Sequence, residues 1–224
     1  MANELDPLSL SPEQVAQQLR RPEGEIGVQM GHQMNKGNKH ICLNAYLALH
    51  PRPGSKVLEI GMGNGYFVKD LMYLADDLRY AGIDYSQTMV DAALEINKDL
   101  IDKGKASFVH ASIADLPFDD ATFDYITTTN TLYFWPDPVK DLAELRRVMK
   151  PTGKLVIGYR SRAFLDQVEL AKYGFSKFDK EDVEDLLNGA RFRQVRTTVV
   201  KEPDPVKLDG KQIALEGLFT EGIK

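Results

Sequence analysis

The sequence predicts a doubly wound α/β sheet, and two observations carry that reading. From Lys56 onward short apolar runs alternate with helical stretches, and strands separated by helices pair in parallel through right-handed crossovers. The first of these runs ends in Gly61-x-Gly63-x-Gly65, the flexible junction that lets a strand turn tightly into a helix.

The elements follow in order. Ser11-Pro12-Glu13-Gln14 predicts a helix start, with Ser11 as cap, Pro12 in the first turn and Gln14 closing a capping box. That helix stops near Pro22. Between Arg20 and Asn38 stand Pro22, Gly24, Gly27, Gly31 and Gly37, a punctuation that predicts a loop or two short helices. A firmer helix follows at about Lys39 to Leu49, and Pro51-Arg52-Pro53-Gly54 forces a turn. Predicted strands are Lys56 to Ile60, Tyr80 to Asp84, Ala106 to His110, Phe123 to Thr129 and Lys154 to Tyr159. Helices fall near Tyr66 to Ala75, Gln87 to Ile101 and Pro138 to Met149, the last capped by Asp137. After Gly153 a helix near Lys180 to Leu187 ends at Asn188-Gly189. Two runs then follow, Gln194 to Lys201 and Gln212 to Phe219, joined by Glu202-Pro203-Asp204-Pro205 and a Gly210 turn; they predict an antiparallel hairpin on the sheet edge. Residues 1–50 are expected as an N-terminal helical extension, or lid, and residues 51–224 as one structural unit.

Composition narrows the function classes. A chain of 224 residues with 43% hydrophobic and 27% charged residues can bury roughly 70% of its unfolded surface, which argues against disorder. A net charge of -5 spread over mixed-sign sequence gives no clustered cation for phosphate backbones or anionic lipid, so neither nucleic acid nor membrane is an expected partner. The lone Cys42 makes no internal disulfide, and no Cys-rich metal site can be written. The start, Met1-Ala2-Asn3-Glu4-Leu5-Asp6, lacks the cationic and apolar regions of a secretory signal, and no apolar run approaches the ~20 residues of a bilayer span. A cytoplasmic location is expected.

The chemistry-bearing segment is Val57-Leu58-Glu59-Ile60-Gly61-Met62-Gly63-Asn64-Gly65. Its glycines let a backbone approach a ligand closely and aim helix N-terminal N–H groups at it. Asp84, about 20 residues on at the end of the next strand, suits the hydroxyls of a ribose. A dinucleotide site wants Gly-x-Gly-x-x-Gly, which is absent, and Glu59 beside the turn suits a cationic ligand better than a diphosphate. A glycine-rich turn that binds nothing is the plain alternative.

At this point the residues resemble the class I S-adenosylmethionine-dependent methyltransferases, in particular the small-molecule, methyltransferase type 11-like branch. The likeness runs through Val57 to Gly65, Ala81-Gly82-Ile83-Asp84-Tyr85-Ser86, Ala114 to Phe118, Phe123-Asp124-Tyr125-Ile126 with Asn130, and Glu144 to Gly153. It implies a Rossmann-like seven-stranded sheet, mostly parallel with a C-terminal antiparallel hairpin, and S-adenosyl-L-methionine as cofactor with S-adenosyl-L-homocysteine as product. It places Glu59, Gly61 and Gly63 at the methionine moiety, Gly65 among the cofactor-binding residues, Asp84 at the ribose, and Tyr85 and Met89 on the adenine faces. Ser112 and Ile113 fall at the adenine edge, where many relatives carry an Asp, and Asn130 faces the sulfonium region.

Methyl transfer from a sulfonium needs alignment and exclusion of water, and a base only where the acceptor must lose a proton. Tyr133, His32 and His40 are the candidate bases. Tyr133-Phe134-Trp135 can wall an acceptor pocket, cradle a cationic amine, or pack beneath the following helix. The segment Arg20 to Asn38, with Met30, His32, Met34 and Asn35, is placed by the resemblance as a lid that closes on ligand. The segment Thr129-Asn130-Thr131-Leu132 lacks the Pro-Pro-aromatic motif of nucleobase amine methylation, and Cys42 lies before the cofactor motif on a predicted helix, as a small buried residue. Arg146-Arg147 and Arg191-Phe192-Arg193 read as solvated faces. A small organic acceptor is the expected partner. A non-catalytic binding module and a nicotinamide-dependent oxidoreductase are the alternatives.

Overall fold

The computed structural model describes residues 10–208 and 211–224. Ser11 caps α1 (Pro12–Arg20) through the expected capping box with Gln14. α2 (Gly24–Leu49) then runs unbroken for 26 residues, which corrects the expectation of a loop or two short helices. The glycines in it are contact points of a helix. A Cβ on buried Gly27 would meet the Pro22 backbone carbon at 2.6 Å, and one on buried Gly31 would meet Met89 Cε at 3.1 Å. Each glycine costs a helix about 1 kcal/mol; here it permits packing that a larger residue would block.

The remaining elements are β1 (Lys56–Ile60), α3 (Val68–Met72), β2 (Arg79–Asp84), α4 (Gln87–Ile96), α5 (Lys98–Asp102), β3 (Ala106–His110), β4 (Phe123–Thr129), α6 (Pro138–Val148), β5 (Met149–Tyr159), α7 (Arg162–Leu165), α8 (Lys180–Gly189), β6 (Arg193–Lys201), β7 (Val206–Leu208), β8 (Lys211–Ile213) and β9 (Glu216–Ile223). The helix expected over Gln87 to Ile101 is split at Asn97, whose buried amide donates to Gly65 O at 3.0 Å and Ala93 O at 3.1 Å. A side chain that bonds its own helix backbone offers an end to that helix, and this one uses the break to tie down the glycine-rich turn.

Seven strands form one sheet in the order β3-β2-β1-β4-β5-β9-β6. β3 to β5 pair in parallel, and β9 runs antiparallel between β5 and β6. The sheet is therefore the Rossmann-like, mostly parallel one expected, but the last strand begins at Glu216 instead of Gln212 and lies inside the sheet, with β6 on its edge. Leu218 enters the core on one face and Phe219 the core on the other, as an interior strand requires. Residues 206–213 carry a separate β7-β8 pair; the expected Gly210 turn lies outside the described residues.

Alternation along the strands makes two cores. Leu58, Ala81, Leu155 and Ile157 pack under α6 and α8, while Val57, Tyr80 and Val156 pack under α2 to α5. Glu59 shares the Val57 face, so the motif carboxylate is directed at α2. No helix among the described residues is long and apolar enough to cross a membrane.

Candidate active site

The carboxyl ends of β1, β2 and β4, roofed by α1 and α2, enclose a cavity of about 520 Å3, within the size range of small-molecule sites and at the place where open α/β sheets bind ligands. Glu59, Gly61, Gly63, Asp84, Tyr85, Met89, Ser112, Ile113, Asn130 and Tyr133 all line it. Gly65 and His32 do not. His32 is exposed on α2, and His40 pairs at 3.6 Å with Asp204, so neither histidine reaches the cavity as a base.

The three motif glycines have left-handed φ values between +58° and +68°, a region that disfavours any side chain, yet they differ in role. A Cβ on Gly63 would meet nothing within 4 Å, so its backbone opens onto the cavity; a Cβ on Gly65 would meet Asn97 Nδ2 at 2.8 Å and Ala93 Cβ at 3.1 Å. Gly65 thus packs the turn against α4 instead of facing the cavity.

Asp84 is fixed by the same turn. Gly63 N–H donates to its Oδ2 at 2.9 Å and Ser86 N–H to its Oδ1 at 2.8 Å. Burial raises its pKa against the pull of these bonds. Glu59 is buried deeper. Tyr46 on α2 and Tyr80 on β2 donate hydroxyls to it at 2.9 and 2.7 Å, and burial, helped by the nearby Asp84 charge, pushes its carboxyl up to about 7 despite both donors. Among the described residues neither carboxylate has an ion-pair partner. A buried acid and a half-buried one, without a cation, form a site suited to a cationic ligand.

The roof is pinned at the β2–α4 turn. Ser86 Oγ–H donates to Pro22 O, Gly24 N–H donates to Thr88 Oγ1 at 3.2 Å, and the Arg21 guanidinium lies 4.9 Å from the centre of the Tyr85 ring. Tyr85 is otherwise exposed and Met89 is buried beneath Gly31. Ser112 Oγ accepts from Ala114 N–H at 3.2 Å, which leaves its proton for an outside acceptor.

Deeper in, Asn130 has φ +56° and is held from both sides: its Nδ2 donates to Asn38 Oδ1 at 3.0 Å, and Tyr133 O–H donates to its Oδ1 at 3.0 Å. The Tyr133 hydroxyl also accepts from Arg160 N–H, and burial pushes its pKa well above the ordinary value. A phenol engaged on both sides in this way holds Asn130 in place. Its ring stacks on Phe175, whose own ring meets Phe134 edge-on, so much of this aromatic cluster is occupied by mutual packing.

Sequence reading misses Asn38, Cys42, Tyr46 and Arg160. The first three, with Gly31 and Asn35, recur at three- and four-residue spacing along α2 and all line the cavity. Reading Arg20 to Asn38 as a loop conceals that stripe. Cys42 is a wall of the cavity instead of plain core, and burial together with Glu59 raises its thiol pKa.

Residues 58–157 match the methyltransferase domain family. An uncharacterized protein of Methanocaldococcus jannaschii is 32% identical over 75% of this chain and 80% of its own length. A demethylmenaquinone methyltransferase of Clavibacter sepedonicus is 34% identical over 49% of this chain, which spans only 43% of that enzyme. Among solved structures, a SAM-dependent methyltransferase of Aquifex aeolicus superposes with a TM-score of 0.63 over 96% of this chain and 99% of its own, at 20% identity.

Proposed function

Because the chain belongs to the S-adenosylmethionine-dependent methyltransferases, we propose that the cavity holds S-adenosylmethionine against Gly63 and Asp84 and methylates a small organic acceptor seated below Asn130. The observation that carries this reading is the Gly63–Asp84 bond: one contact fixes an open glycine backbone and a half-buried carboxylate on the same side of the cavity.

When bound, the cofactor supplies a methyl group already activated as a sulfonium. The chain's own residues then hold and align. Asp84 presents acceptors to the ribose hydroxyls, and Tyr85 and Met89 flank the adenine. Ser112 and Ile113 meet its edge. Gly61 and Gly63 give backbone approach at the methionine end, where Glu59 supplies negative charge in a dry site. Gly65 acts one step back, by seating the turn on α4. Asn130, fixed by Asn38 and Tyr133, orients the region where donor and acceptor meet. In this reading residues up to 50 act as a lid whose α1 and α2 exclude water, and residues 51–224 form the catalytic unit. Among the described residues no histidine lines the cavity, which favours catalysis by alignment over proton removal by a side chain.

The demethylmenaquinone methyltransferase likeness supports an organic acceptor. Calorimetric titration tests the reading. S-adenosylmethionine and S-adenosylhomocysteine should both bind the wild type, and Asp84→Ala should weaken both by about 1 to 3 kcal/mol, or roughly 5- to 150-fold. Absence of binding to the wild type overturns it.

A further inference from the structure

Part of the cavity lining differs in character from the motif glycines and carboxylates. It comprises Phe134, Trp135, Phe164, Leu165, Val168 and Leu215, and a deeply buried charged group, Arg160, stands just past β5 in the same lining. Arg160 Nη1 donates to Glu202 Oε1 at 2.6 Å and to the Glu216 carbonyl at 3.0 Å. The two side chains are only 8% and 4% exposed. Glu202 is itself fixed, since its N–H donates to Leu215 O at 2.8 Å. Arg20, the other cation bordering the cavity, is exposed at its mouth.

We propose that this compartment takes an uncharged, apolar acceptor, and that Glu202 sets that specificity by neutralising Arg160 from within the chain. The proposal rests on the methyltransferase reading and deepens it. An unpaired buried guanidinium would attract a carboxylate or phosphate on the acceptor. With Glu202 in place the guanidinium already carries a buried counter-charge on Nη1, so an anionic acceptor meets a neutralised pair, gains little Coulomb attraction for its own desolvation, and competes with Glu202 for the same cation. A cationic acceptor finds the one carboxylate there, Glu202, already paired with Arg160, and aromatic faces already packed against each other. An uncharged molecule incurs neither penalty and replaces water on apolar walls. Glu202 is thus a specificity-determining residue that need not touch the reacting atoms.

The test uses the full-length protein saturated with S-adenosylhomocysteine and two probes of one shape, 4-tert-butylphenol and 4-tert-butylbenzoate, near pH 7, where a phenol is neutral and a benzoate ionised. Calorimetry reads affinity, and quenching of Trp135, the single tryptophan, reports that the probe sits in this compartment. The phenol should bind at least tenfold more tightly than the benzoate. Glu202→Gln should narrow or reverse that ratio, by freeing Arg160 for the benzoate. The double variant Arg160→Met with Glu202→Leu, which removes both charges, should restore preference for the phenol even if the single variant folds poorly. Equal or tighter binding of the benzoate by the wild type, no binding of the phenol, or the same ratio in Glu202→Gln would overturn the proposal. Failure of S-adenosylhomocysteine itself to bind would instead remove the reading on which it stands.

Discussion

The Tyr46 hydroxyl lies 2.9 Å from both carboxylate oxygens of Glu59, so the N-terminal helix reaches through the roof to the acid at the heart of the cofactor motif. The bond joins an element outside the methyltransferase match to one inside it. It also makes Glu59 a reporter of both.

A carboxyl pushed up to about 7 by burial stands above its unfolded value, so between those two pH values the folded protein binds more protons than the unfolded chain. Its contribution to stability therefore falls as pH rises through that window, by on the order of 3 kcal/mol. Thermal midpoints of the ligand-free protein between about pH 5 and pH 8 should fall more steeply for wild type than for Glu59→Gln. A cation bound beside Glu59 favours the ionised form, so affinity for S-adenosylmethionine and S-adenosylhomocysteine, which share the ammonium of the methionine end, should rise through about pH 7. Affinities flat with pH and unchanged in Glu59→Gln would place that cation away from this acid.

The glycines should separate folding from binding. Gly63→Ala adds a methyl group to open space and meets only the strain of its left-handed backbone, about 1 to 2 kcal/mol, while standing where the cofactor must approach. It should fold with a modestly lower melting temperature and lose cofactor affinity. Gly65→Ala carries the same strain and also drives into Asn97 and Ala93, so its main loss should be in stability. Melting curves and calorimetry on the pair check this, and equal loss of binding at similar stability would contradict it.

How much of this was legible beforehand depends on how local each signal is. Gly61 and Gly63 directly follow β1, and Asp84 ends β2 after the one helix α3; each of these elements has its own periodicity, and the structure brings all three residues to the cavity. The two failures share a cause. Gly27 and Gly31 look like breaks until Pro22 and Met89 stand against them; the first contact needs the chain to fold back at the α1–α2 turn and the second needs the helix to fold onto α4. Glu202 and Arg160 lie 42 residues apart and meet because β9 inserts between β5 and β6, a strand order that no local pattern encodes. His32 sits in a segment whose helical phase was hidden, so its outward direction was hidden too.

Tyr133 gives the last prediction. Its hydroxyl donates to Asn130 and accepts from the Arg160 amide, and in Tyr133→Phe two buried groups lose their partner, at a cost of about 1 to 3 kcal/mol in stability. Asn130, held at φ +56°, would then be fixed from the Asn38 side alone. Because burial keeps the phenol protonated, ultraviolet tyrosinate titration of wild type and Tyr133→Phe should coincide up to about pH 10, the ordinary tyrosine range. A tyrosinate signal near neutral pH that disappears in the variant would make Tyr133 a base. A lowered melting temperature with coincident titrations would establish it as the residue that keeps Asn130 in place.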